Sequence, residues 1–170
     1  MKSINIRTLQ ADDVEALLAF EVQNREWFER HIDSRGSAFY SVQGIRAHIA
    51  AYLAGFAAGT WHPFVIEDQQ GRIIGRANLK DIDRAGFRAE VGYRIAEDAC
   101  GQGLATTALE HLIRVAQSQW KLRQLVASVY ASNLGSAKVL ERCGFTRAAL
   151  DRKDDSLHDY RFDLVTQRIE

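Results

Sequence analysis

The chain has 170 residues, 46% of them hydrophobic and 26% charged, which is enough for one α/β domain with a sizeable core. Its 22 basic and 22 acidic residues balance, which argues against binding nucleic acid or an anionic membrane by bulk charge. No apolar signal core opens the chain, and no apolar run approaches the roughly 20 residues that cross a bilayer.

In chain order, Ile4-Asn5-Ile6-Arg7 reads as a short edge strand. Asp12 or Asp13 is then placed to cap a helix whose apolar face is Val14, Leu17, Leu18 and Val22. Trp27, Phe28 and Ile32 continue that face in a second short helix, and Arg35-Gly36-Ser37 reads as a loop. Ile45, Ile49, Tyr52, Leu53 and Phe56 form another helical stripe, ended near Gly59. Two strand-like runs, residues 64–67 and 72–79, flank Asp68-Gln69-Gln70-Gly71 as a hairpin. Arg84-Ala85-Gly86 makes a second turn into a strand over 88–95. A long helix over 106–120, a strand over 125–130 and a short helix over 136–142 stopped by Gly144 follow. Strands over 145–150 and 159–165 close the chain. No repeat, low-complexity tract or linker divides it, and the pattern is one mixed-sheet α/β domain. With Cys100 and Cys143 far apart and without metal-ligand spacing, the expectation is a soluble protein of the reducing cytoplasm.

The most chemical stretch is Cys100-Gly101-Gln102-Gly103-Leu104-Ala105, between a strand and a helix. A glycine turn that opens a helix leaves backbone N–H groups unpaired at the positive end of the helix dipole, which suits phosphate. The third glycine of a dinucleotide fingerprint is absent, and no Gly-Lys-Ser/Thr follows as in a P-loop. On these residues alone, a purely structural turn stays open.

A second stretch narrows the choice: Asn133-Leu134-Gly135-Ser136-Ala137-Lys138-Val139-Leu140-Glu141-Arg142-Cys143-Gly144-Phe145. Together, in this order and separated by helix and strand, the two stretches resemble the GNAT superfamily of acyl-CoA-dependent N-acetyltransferases. The family's Q/R-x-x-G-x-G/A turn falls on Cys100, Gly103 and Ala105, and its Asn…Gly-Phe signature on Asn133, Gly144 and Phe145. Leu140 stands where many members carry tyrosine, and Ser136 supplies a hydroxyl three residues after the asparagine. In this the chain resembles the branch that acetylates the N-termini of ribosomal proteins.

The resemblance implies a single GNAT-like domain over residues 1–170. Its fold is α/β, a mixed and mostly antiparallel central sheet with splayed central strands, flanked by helices. It implies acetyl-CoA (coenzyme A) as cofactor, with the backbone of Tyr93, Arg94 and Ile95 facing the pantetheine arm. The pyrophosphate would lie on Gly101, Gln102, Gly103, Leu104, Ala105 and Thr106. Asn133 and Ser136 would stand near the thioester. Cys100 replaces the family's usual Arg or Gln, which shifts binding onto backbone amides. A reactive role for its thiol and a small half-buried residue at a helix start both remain open.

An amine is mostly protonated at neutral pH and must lose a proton to attack. The resemblance gives that role to Glu90; the alternative is a strand-face carboxylate paired with Arg88 or Arg76. Ser136 is the candidate hydrogen-bond donor to the departing thiolate, or else a first-turn residue bonded to backbone. Trp27, Phe28, His31 and Tyr40 are placed as an acceptor-facing wall, with core packing as the alternative. The five histidines share no ligand spacing and no metal is expected. The acceptor is an amine, with a protein N-terminal α-amine favoured by the branch, no nucleic-acid or membrane partner, and a monomer or homodimer as the assembly. A small-molecule amine acceptor and a non-catalytic acyl-CoA-binding module stand as alternatives.

Overall fold

A computed structural model describes residues 3–30, 33–148 and 156–164. Among them are seven strands and five helices: β1 Asn5–Thr8, α1 Val14–Gln23, α2 Arg25–Glu29, α3 Val42–Ala58, β2 His62–Glu67, β3 Ile73–Asp83, β4 Arg88–Ile95, α4 Leu104–Ser118, β5 Gln124–Tyr130, α5 Leu134–Arg142, β6 Thr146–Arg147 and β7 Leu157–Asp163. The strands form one sheet in the order β1-β2-β3-β4-β5-β7-β6. Every pairing is antiparallel except β4–β5. This is the mixed, mostly antiparallel α/β sheet expected from the sequence. Residue 165 and residues 149–150, the ends of two expected strands, lie outside the described residues.

Strand alternation divides the sheet's two faces. Phe64, Ala77, Leu79, Val91 and Ile95 are buried on the face covered by α4. There α4 lays down Leu104, Ala108, Leu109, Leu112 and Ala116, an i, i+4, i+5, i+8, i+12 stripe. Val65, Arg76, Asn78, Glu90 and Arg94 point to the opposite face, where α1 and α3 pack. That face is the more polar.

Local chemistry explains most element boundaries. Gly59 ends α3 in the left-handed region at φ 77°, its N–H bonding back to the last turn. Ser41 caps the start of α3 by accepting from Gly44 N–H at 3.0 Å. The hairpin turn closes on Asp68, whose carboxylate accepts from the N–H groups of Gln70 and Arg72, both at 3.0 Å.

Two details depart from the sequence-based expectation. Asp13 precedes α1 but makes no side-chain cap, because its carboxylate is taken by Arg7 at 2.8 and 2.9 Å and by Gln10 N–H at 2.8 Å. On α1 itself Val22 is exposed (52%), and Glu21 is the buried residue (0%). The helix turns a carboxylate, not a valine, into the protein.

Candidate active site

The parallel β4–β5 ladder has three pairs, Arg88↔Gln124, Ala89↔Leu125 and Glu90↔Val126. Both strands run on beyond it, β4 paired only with β3 and β5 only with β7. From Val91 and Ala127 outward the facing edges are therefore splayed, with backbone N–H and C=O groups that no strand satisfies. A cleft of about 850 Å³ opens there, lined by both edges, by the turn before α4 and by the start of α5.

At one end of the cleft, Gly101 and Gly103 adopt φ 79° and 77°, a region that disfavours side chains. Nothing lies within 4 Å of where a Cβ would stand on either, so the space beside the turn is open. Gly103 offers α4 no side-chain cap. Thr107 is the first residue of α4 whose N–H reaches a helix carbonyl, that of Gly103 at 3.0 Å. The N–H groups of Leu104, Ala105 and Thr106 thus remain as donors at the positive helix end. These residues suit a pyrophosphate, and the splayed edges suit an extended amide-bearing arm added as a strand. Coenzyme A has both parts. Gln102, expected beside the phosphate, is exposed and its side chain does not line the cleft.

Cys100 lines the turn, but its Sγ donates back to the carbonyl of Ala96 at 3.3 Å. Burial, then Glu97 and Asp98, push the thiol's pKa up. It is held as a thiol, the opposite of what a nucleophile needs.

At the mouth of the splay, Asn133 caps α5. Its Oδ1 accepts from Ser136 N–H at 3.2 Å, and Asn133 lines the cleft with no hydrogen bond from Nδ2 among the described residues. Ser136 lines the cleft, with its hydroxyl beside the Tyr93 phenol. Tyr93 O–H donates to the Ser136 carbonyl at 3.5 Å, and burial pushes the phenol up to about 12. Tyr93 therefore braces α5 against β4 and keeps its proton.

Glu90 sits in the last paired position before the splay. Its partner is Lys80, at 3.8 Å, and neither Arg88 nor Arg76. Glu90 does not itself line the cleft, whereas Lys80, Gly92 and Arg94 on the same face do. Of the expected acceptor wall, Trp27 and Phe28 line the cleft. Tyr40 does not; it lies under Arg25 at 4.2 Å and edge-on to Phe39. His31 lies outside the described residues. Among the described residues no group of three His, Cys, Asp or Glu is placed to hold a metal ion.

Sequence reasoning missed a buried polar cluster on the face of the sheet opposite α4. Glu21 joins Arg76 at 2.9 Å and Arg94 at 3.2 Å, and Arg76 reaches His48 Nε2 at 2.8 Å. Arg76, Arg94 and Arg35 all line the cleft. The available signal was alternation: Arg76, Asn78 and Lys80 recur at every second position of β3, as Glu90, Gly92 and Arg94 do on β4.

An α/β sheet with a splayed parallel pair, a side-chain-free helix-start turn beside it and an asparagine cap at its mouth defines an acyl-CoA-type transferase. The chain belongs to the acetyltransferase (GNAT) domain family, whose profile matches residues 3–146. It is an acetyl-CoA-dependent N-acetyltransferase. It is 31% identical over 155 residues to "Probable N-acetyltransferase YjcK" of Bacillus subtilis (strain 168), covering 90% of this chain and 86% of that protein. It is 24% identical over 164 residues to the ribosomal-protein-serine acetyltransferase of Escherichia coli (strain K12), covering 93% and 87%. Among solved structures it superposes on RimL, a ribosomal L7/L12 alpha-N-protein acetyltransferase in complex with coenzyme A. The TM-score is 0.84 at 20% identity, with 96% of each chain covered. No helix among the described residues is long and apolar enough to cross a membrane.

Proposed function

We propose that this protein acetylates a protein N-terminal α-amine by direct attack of the neutral amine on the thioester. The observation that carries the reaction class is the β4–β5 splay, with free backbone on both edges and the glycine turn at one end. The choice of acceptor draws support from relatives whose names specify ribosomal-protein acetylation and from Ser136 in place of a later tyrosine.

Acetyl-CoA supplies the activated carbonyl. The backbone of residues 91–95 and 127–130, the amides of Leu104 to Thr106 and Asn133 Nδ2 hold and orient it. An α-amine has a pKa near 7.7–8.0, so most of it carries a proton at pH 7. Glu90, at the foot of the splay and on the acceptor face, takes that proton through water. Ser136 Oγ, which lines the cleft beside the Tyr93 phenol, donates a hydrogen bond to the departing sulfur. Cys100 is held as a thiol and is not a nucleophile, and the Tyr93 O–H is engaged with the Ser136 carbonyl.

The test is thiol release from acetyl-CoA with a panel of N-terminal peptides and small amines, with the acetyl group located by mass spectrometry. Acetylation at peptide α-amines is expected. Turnover of small amines alone would replace the acceptor assignment, and tight acetyl-CoA binding with no turnover on any amine would make the chain a binding module.

A further inference from the structure

Three guanidinium groups meet one carboxylate at the acceptor side of the cleft. Arg76 on β3 and Arg94 on β4 stand directly opposite each other in the ladder, an arrangement that repels unless something intervenes. Glu21 intervenes, one oxygen to each arginine, but carries a single charge for two. The Glu21–Arg76 pair is dry, 1% and 3% exposed at the side chain, and Arg94 is 19% exposed.

The remaining neighbours do not restore the balance. Arg76 Nη2 donates to His48 Nε2, which must therefore be unprotonated and neutral. Arg76 Nε is buried with no hydrogen-bond partner. Arg35 lines the same cleft, stacked on Phe39 at 4.7 Å, with no carboxylate in ion-pair contact among the described residues. Lys80 with Glu90 and Arg25 with Glu29 are already matched pairs. Tyr40, Tyr52 and Phe28, which pack around these groups, are uncharged.

A buried excess of positive charge is costly and is relieved by an anion from outside. That anion is not the pyrophosphate, because the Arg94 side chain leaves the sheet on the face away from α4 and its glycine turn. On the reading of the cleft above, this face is the acceptor's. Resting on the reading of the cleft as an acetyl-acceptor site, we propose that the acceptor carries an oxyanion close to its amine, which docks on Arg94 and Arg35 above the Glu21–Arg76–Arg94 cluster. Guanidinium groups pair with carboxylate or phosphate in a bidentate, directional way, so this contact selects acceptors as well as holding them.

Matched acceptor pairs test it, with kcat/KM measured by thiol release. Peptides beginning with Asp are set against peptides beginning with Asn, and free alanine against alaninamide. The anionic member of at least one pair should be favoured by about tenfold or more, the range of a charge-assisted hydrogen bond. A preference in the peptide pair assigns the anion to the first side chain, and one in the alanine pair assigns it to an α-carboxylate. Arg35→Gln, on a half-exposed loop, and Arg94→Gln, which leaves a neutral Glu21–Arg76 pair, should each draw the ratio toward one, mainly through KM. Equal use of anionic and neutral acceptors by the unaltered enzyme, or a ratio that neither substitution changes, overturns the proposal. If no amine is turned over, the transfer reading fails, but the anion site is still decided by inorganic phosphate titrated into CoA-saturated protein. Phosphate should raise the melting temperature of the unaltered chain and raise it less in both variants; an equal rise, or none, rejects the site.

Discussion

Ser136 and Glu90 carry the proton work of the proposed reaction, and their surroundings suit them to different parts of it. The Ser136 hydroxyl meets only the Tyr93 phenol among the described residues, and the cap of α5 uses its backbone N–H instead. Ser136→Ala should therefore lower the melting temperature only slightly and lower kcat by about tenfold, the worth of one hydrogen bond made in the transition state. Asn133→Ala is the contrast: it removes the cap and should cost about 1 kcal/mol of stability as well as acetyl-CoA affinity. For Glu90→Gln the pH profile is the readout. A base matters most where the amine is protonated, so the loss should be about 10²-fold near pH 7 and shrink above the α-amine's pKa. A uniform loss at every pH would reduce Glu90 to a partner of Lys80.

At the scale of elements, the turn before α4 and the seat of α1 each depend on one residue. Gly103→Ala places a Cβ in the left-handed region without any clash, so its stability cost is the backbone strain alone, about 1–2 kcal/mol. If the turn holds pyrophosphate, acetyl-CoA affinity should fall by more than the stability change explains, as isothermal titration would show. Glu21→Gln leaves Arg76 and Arg94 facing each other without a counter-charge and should destabilise by about 3–5 kcal/mol in urea unfolding. The hairpin at residues 68–71, the stop of α3 at Gly59 and the glycine turn before α4 were legible because each is fixed by residues close in sequence. The choice between Glu21 and Val22 was not legible. Both fit the helical stripe through Leu17, and only Arg76 and Arg94, more than fifty residues away, decide which one turns inward. The free edges of β4 and β5 were legible only through the resemblance, since a register that stops after three pairs leaves no local mark.

For the molecule as a whole, buried histidines set the response to acid. His62 accepts from Trp120 Nε1–H at 2.9 Å and contacts Thr8 Oγ1 at 3.0 Å, and burial, then His111, lower its pKa from 6.5 to about 4. His48 is lowered to about 2, by burial first and then by Arg76, Arg35 and Arg94. In the unfolded chain both take up a proton near pH 6.5; in the native state they do not. The unfolded state then binds more protons, so stability falls as pH drops from about 6.5 toward 4. Asp13 extends the decline to lower pH, since Arg7 and Gln10 N–H, against the effect of burial, hold its carboxyl below the usual range. Urea midpoints between pH 7 and pH 4 should show the fall, and His62→Asn should lessen it, the remainder being His48's. Amide hydrogen exchange with and without acetyl-CoA most directly tests the splay and turn as the cofactor seat. Protection is expected at residues 91–95, 101–106 and 127–130, the free edges and the glycine turn. Tight binding that protects none of these segments, or protects only others, would contradict it.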